Sequence, residues 1–339
     1  MYTAEELIWA TQLAYCNFTN LHAKEHLTVK EILATEGDSI FYDSKLNDPA
    51  AGDTRTMRED TKQFIKDVAD GKICQGWKII DVRNEESVNG LYAIMIETTP
   101  GQAIIAFRGS EMNAEQMIRD WVQADMTIMN GDMTAQELAA CRYLDDIGNN
   151  NALKGYRNIA ITGHSLGGDL ALVSTIYTAT DGCKTDMSSR IKQSVSMDGP
   201  GHPQEFLDKY EDAINEMQGV MTHYQWSLVG SILKSVCLTD NYIQVASYKF
   251  HEDDLVDRLK DILINRLVGY DISNAFPVKT YGLDVFSDIM YAYDYSSFLY
   301  QHSTASLYFT ENGGMITTDT VDPVAAIVHN ITRSEEHTS

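Results

Sequence analysis

Apolar residues in this chain change their spacing three times, and each spacing predicts a different element. Near the start, Leu7, Ala10, Leu13 and Ala14 recur at helical intervals behind Thr3 and Glu6. A threonine followed three residues later by a glutamate can satisfy two orphan backbone donors reciprocally, so this capping box predicts a helix start. The same pair recurs at Thr28…Glu31 and at Thr134…Glu137, the latter leading into Leu138, Cys141 and Leu144. Between the second box and the next apolar run, residues 38–60 are polar and punctuated by Pro49 and Gly52, which predicts a loop.

Alternation then replaces the helical period. Trp77 to Val82 and Leu91 to Ile96 read as strands suited to an antiparallel edge, and Pro100-Gly101 marks a turn. Ala103-Ile104-Ile105-Ala106-Phe107 is apolar throughout, as expected of a central strand buried on both faces. Beyond it the pattern predicts helix (134–147), strand (157–162), helix (168–179), strand (191–197) and, after a long stretch, strand (242–246). Strand and helix in alternation imply an α/β fold, with a mostly parallel sheet, helices on both faces and antiparallel edge strands.

Residues 204–234 carry Met217, Val220, Met221, Trp226, Leu228, Val229, Ile232 and Leu233. That spacing predicts a helical cap insertion, although such a stripe serves equally as core. No Pro/Gly linker bounds it, so residues 1–332 are expected to form a single domain, with N-terminal helices and a loop over 1–70. Residues 333–339 read as a non-native adapter tail and take no part in the fold argument.

Composition narrows the function classes. With 26 Lys plus Arg against 49 Asp plus Glu, the formal charge is −23, which repels phosphate backbones and argues against a nucleic-acid partner. The five cysteines are scattered and show no C-x-x-C spacing, against both a disulfide framework and a zinc site. Neither a basic, apolar leader nor a run approaching the ~18 apolar residues of a membrane helix is visible, so a cytoplasmic location is expected. No metal or organic cofactor is implied, and the oligomeric state is left open.

The candidate chemistry lies at Gly163-His164-Ser165-Leu166-Gly167-Gly168, between the strand Ile159 to Thr162 and the helical run Asp169 to Val173. A G-x-S-x-G between strand and helix describes a sharp turn that lifts a serine hydroxyl clear of a sheet, with helix N–H groups aimed at the same space. Ser165 is the expected nucleophile, and the Leu166 N–H one donor of an oxyanion hole.

Three motifs in order extend this reading: Phe107-Arg108-Gly109-Ser110, Asp120-Trp121-Val122-Gln123-Ala124-Asp125, and the Ser165 turn. Together they resemble the class 3 (fungal-type) lipases of the α/β-hydrolase fold. Met197-Asp198-Gly199-Pro200-Gly201-His202, with Glu205-Phe206 after it, resembles a bacterial lipase-like branch. The resemblance runs over residues 103–206, weakens to about Asn312 and is absent before Trp77. It implies a Ser–Asp–His triad in that chain order, with Ser110 as second oxyanion donor.

Past Ser165 the acidic candidates are Asp198, Asp253, Asp254 and Asp284. Asp198 sits in a D-G-P-G turn signal, whereas His251-Glu252-Asp253-Asp254-Leu255-Val256 resembles the D-x-V of the lipases. Asp254 is therefore expected as the acid, with Asp253 as alternative. His302, ahead of the apolar stretch Ser306 to Phe309, is the expected base and His251 the alternative. Asp120 and Trp121 read as structural, the acid pairing with Arg108 or starting a helix; Met112, Met117 and Ile118 fall where the lipases carry a lid. The implied activity is cleavage of carboxylic esters, lipid or acyl esters first, through an acyl-enzyme. A non-lipid esterase, thioesterase, acyltransferase or inactive binding protein is the alternative.

Overall fold

The computed structural model describes residues 1–20, 27–40, 55–109, 131–226, 237–245, 307 and 312–315. The side chains of residues 38, 55–61 and 244 are not described. Helices α1 (Ala4–Leu13), α2 (Val29–Glu36) and α3 (Arg55–Ala69) precede the first strand. Strand β1 (Lys78–Glu85), a single turn α4 (Glu86–Asn89), β2 (Leu91–Thr99) and β3 (Gln102–Phe107) follow. Then come α5 (Ala135–Asn149), β4 (Asn158–His164), α6 (Leu166–Tyr177), α7 (Met187–Arg190) and β5 (Ile191–Met197). The last described elements are α8 (Gln204–Lys209), α9 (Glu211–Met217), β6 (Met221–Gln225) and β7 (Tyr242–Gln244).

All three capping boxes form: Thr3, Thr28 and Thr134 each accept from the N–H three residues on, and each glutamate bonds back. A cap of this kind stabilises its helix by about 1 kcal/mol, enough to decide where a short helix begins.

The described strands lie in one sheet in chain order, β1 to β7. The β1–β2 and β2–β3 pairs are antiparallel, and every pair from β3–β4 to β6–β7 is parallel. Alternate strand residues feed two separate cores. Ile94, Ile96, Ile104, Ala106 and Val195 pack with the N-terminal helices. Ala93, Met95, Ile105, Phe107 and Ile161 pack with α5, α6 and α9 on the other face. Coverage on both faces explains why the central strands read as unbroken apolar runs.

Two expectations are corrected here. Residues 55–60, expected as loop, belong to α3, whose Phe64, Ile65 and Val68 are buried beneath an otherwise charged helix. Of the helical cap expected over 204–234, the described residues 204–226 are not helical throughout: α8 and α9 form, and a strand follows them. Met221 to Gln225 is instead strand β6, hydrogen-bonded in parallel to β5, with Met221, His223 and Gln225 buried and Thr222 and Tyr224 less so. Its five residues cannot show a period against the apolar helix before it, so a continuous stripe was read where the chain changes element. Residues 227–236 lie outside the described part.

Candidate active site

One residue, Ser165, separates the end of β4 from the start of α6. Its backbone sits at φ 59° and ψ −133°, a conformation that L-residues other than glycine adopt only at a cost of order 1–3 kcal/mol. The surroundings impose it. Ser165 N–H donates to the Met197 carbonyl at 2.9 Å, and Gly168 N–H donates to the Ser165 carbonyl at 2.8 Å. Strand and helix meet so closely that a methyl group on Gly163 would fall inside the Gly167 carbonyl. Gly109 is pressed as tightly from the β3 side, where a methyl would lie 3.1 Å from the Ser165 Cβ.

The Ser165 side chain is 3% exposed, and its Oγ has no hydrogen-bond partner among the described residues. Leu166 opens α6, so its N–H has no acceptor within the helix and lies at the positive end of the helix dipole. A hydroxyl on a strained turn beside an unsatisfied helix N-terminus suits attack on a carbonyl followed by stabilisation of the resulting oxyanion.

The neighbouring strand ends converge on this turn. His164 stacks on Trp226 with ring centroids 5.8 Å apart and planes 11° from parallel. Its Nδ1 lies 3.4 Å from the Tyr15 hydroxyl of the segment after α1. Asp198, the residue after β5, is fully buried and takes φ 56°. Its Oδ1 accepts from the Trp226 N–H at 3.0 Å, and its own N–H donates to the Tyr224 carbonyl at 2.7 Å. The strands thus bring Asp198 to the edge that carries Ser165.

Of the residues expected at the site, Ser165 and Leu166 stand where the motif put them. Ser110, His251, Asp253, Asp254, Asp284 and His302 lie outside the described residues, as do Met112, Met117, Ile118, Asp120 and Trp121. Arg108, expected to meet Asp120, is buried with Glu86 as an ion-pair partner and its guanidinium 4.2 Å from the Tyr92 ring centroid.

Behind the turn lies a charged cluster that sequence reading missed. His202 Nε2 donates to Asp169 Oδ1 at 2.6 Å and stands 3.3 Å from Glu137 Oε1, and all three side chains are at most 3% exposed. Asp169 is in the first turn of α6, and Glu137 closes the α5 capping box through its other oxygen. An acidic residue directly after Gly167-Gly168, in an otherwise apolar helix, was the available signal.

Among the described residues these three are the group whose ligand atoms lie close enough to hold a metal ion, within 4.8 Å of one another. The 2.6 Å separation is a hydrogen-bond length, too short for an ion to sit between His202 and Asp169. We therefore read the cluster as a proton-sharing network.

Its protonation bears on stability. Burial, then the nearby Asp169 carboxylate, pushes Glu137 up to about 8, with His202 and the Thr134 N–H opposing. Burial works against charge on His202, yet the two carboxylates outweigh it and raise its pKa. Both shifts mean that the folded chain keeps protons that the unfolded chain has released. Stability is thus expected to fall as pH rises from the free-glutamate range through about 8. Glu137→Gln should flatten that slope in urea midpoints measured from pH 5 to pH 9; an unchanged slope would mean that the cluster is not its source.

A mostly parallel sheet covered on both faces, with a serine on a strained strand-to-helix turn at its carboxyl edge, is an α/β-hydrolase fold. The crystal structure of M37 lipase is similar to this chain at 14% identity and a TM-score of 0.38, over 98% of this chain and 91% of that one. No curated protein matches the sequence. The model of the Mbeg1-like family matches residues 75–248, a span that runs from just before β1 to beyond β7 and contains the Ser165 turn. With more than half of its length so matched, the chain belongs to the Mbeg1-like family.

Proposed function

We propose that this protein is a serine hydrolase that cleaves carboxylic esters through an acyl-enzyme on Ser165. The observation that carries the reading is the Ser165 backbone, held at φ 59° between β4 and α6 with its Oγ unpartnered among the described residues. A structural serine at such a turn is replaceable by glycine at no conformational cost, whereas a nucleophile justifies the strain. In the proposed reaction a histidine takes the Ser165 proton as Oγ attacks the ester carbonyl. The Leu166 N–H, with the Ser110 N–H as second donor, stabilises the oxyanion, and the histidine returns the proton to the leaving alcohol. Water then repeats the sequence on the acyl-serine. His302 is the proposed base, with His251 the alternative.

Lipid or acyl esters are the proposed substrate class, in keeping with the lipase-like motifs around the turn. The net charge of −23 disfavours docking on anionic bilayers and points to neutral or soluble esters. The test is covalent trapping. Brief incubation with p-nitrophenyl acetate and, separately, octanoate, followed by acid quench, is expected to leave the acyl mass on the peptide containing Ser165. A faster octanoyl adduct supports the lipid-type substrate, and a faster acetyl adduct a short-chain esterase. Acylation at another residue, or none, would overturn the serine mechanism.

A further inference from the structure

We infer that Asp198, in place of Asp254, is the carboxylate that positions the catalytic base. This rests on Ser165 being the nucleophile and deepens that reading. Register carries the argument. Strands β4 and β5 run parallel and adjacent, and His164 pairs with Met197. The next residue on each strand is Ser165 on one and Asp198 on the other, so the two leave the sheet together at the same edge. Adjacent strands are about 4.8 Å apart. An imidazole that reaches Ser165 from above that edge therefore passes over the end of β5.

Asp254 lies outside the described residues. It belongs to the chain after β7, and β5 and β6 lie between β7 and the nucleophile strand.

The backbone at Asp198 supports the same assignment. Among the described residues only Cys74, Ser165 and Asp198 adopt positive φ without being glycine, so both strand ends at this edge carry a residue at positive φ. The Asp198 carboxyl is wholly buried and accepts the Trp226 N–H. An asparagine would form the same turn and accept the same bond without burying a charge. A carboxylate is warranted where a positive charge develops beside it, as it does on a base that removes the serine proton.

Asp198→Asn keeps the acceptor for Trp226 and removes the charge. In the full chain, with p-nitrophenyl butyrate, it is expected to lower kcat by about 10⁴-fold with KM changed only a few-fold. It should also move the acidic limb of the kcat/KM profile to lower pH, because the imidazolium loses its partner. A purely structural role for Asp198 predicts neither change. Asp198→Ser, whose hydroxyl can also accept from Trp226, supplies the same comparison should the amide variant fail to fold. The assignment is overturned if the Asp198 variants stay within tenfold of wild type with an unmoved pH profile, or if Asp254→Asn takes the loss instead. Ser165→Ala separates the two readings: near-wild-type activity there defeats the serine mechanism. An inactive Ser165→Ala beside an active Asp198→Asn defeats only the acid assignment.

Discussion

Replacing Ser165 with alanine is expected to lower kcat/KM for p-nitrophenyl butyrate by about 10⁴- to 10⁶-fold while the protein stays folded. The size follows from the two stages of the proposed reaction, since without Oγ neither acyl transfer nor the acyl-enzyme exists. What survives is whatever the Leu166 N–H and substrate binding lend to direct attack by water. The variant should fold because Oγ makes no hydrogen bond among the described residues, and the Ser165 N–H and carbonyl keep their bonds to Met197 and Gly168. Alanine suffers the same penalty at φ 59° as serine, so the turn is no more strained than before. His302→Ala in the same background should add little, because the members of such a triad act as one unit. An alanine variant within tenfold of wild type would remove the serine mechanism altogether.

The second large effect concerns stability. Asp169→Ala is expected to cost about 3–5 kcal/mol, the usual penalty for leaving one member of a buried charged pair without its partner. The melting temperature should drop by roughly 4–7 °C in a protein of this size. In the variant, His202 loses its 2.6 Å acceptor while remaining enclosed, with its Nδ1 already lacking a hydrogen-bond partner among the described residues. Because His202 is four residues beyond Asp198, the same contact ties the Gly199-Pro200-Gly201 loop to the helix that begins at Ser165. Replacing both partners should be far milder than removing one. Asp169→Asn combined with His202→Phe keeps a ring against Phe206, whose centroid is 4.1 Å away, and leaves no buried charge between them. Urea unfolding of the single and double variants checks both statements. A single variant within about 1 kcal/mol of wild type would show that the network contributes little.

Much of the scaffold was legible in the sequence because its determinants are local. Thr3, Thr28 and Thr134 cap helices through side chains only three residues away, and Ala103 to Phe107 is apolar because β3 is covered on both faces. The Ser165 turn was legible for the same reason: Gly163 is required by a contact between the end of one strand and the Gly167 carbonyl in the first turn of the next helix, four residues on. Helix α3 and strand β6 were missed where local pattern is weak. Residues 55–69 carry few apolar positions, and their helix is recognisable by the face that Phe64, Ile65 and Val68 bury against the N-terminal core. Met221 to Gln225 is too short to reveal a period, and its pairing with β5 decides its conformation.

Asp198 and the Glu137–Asp169–His202 cluster mark the other boundary. In sequence Asp198 is a turn residue, Glu137 a helix cap and His202 a polar residue after Gly201, and each of those local readings holds. Parallel pairing of β4 with β5 carries Asp198 to the edge of Ser165, and packing of α5 against α6 brings Glu137 to Asp169, 32 residues further along. By itself the sequence determined most of the elements and the Ser165 turn, since hydrogen bonds and steric contacts over a few residues specify them. Which carboxylates stand beside that turn, and which protons they hold, was decided only in the tertiary structure, because burial and charge pairing act between residues that the fold alone makes neighbours.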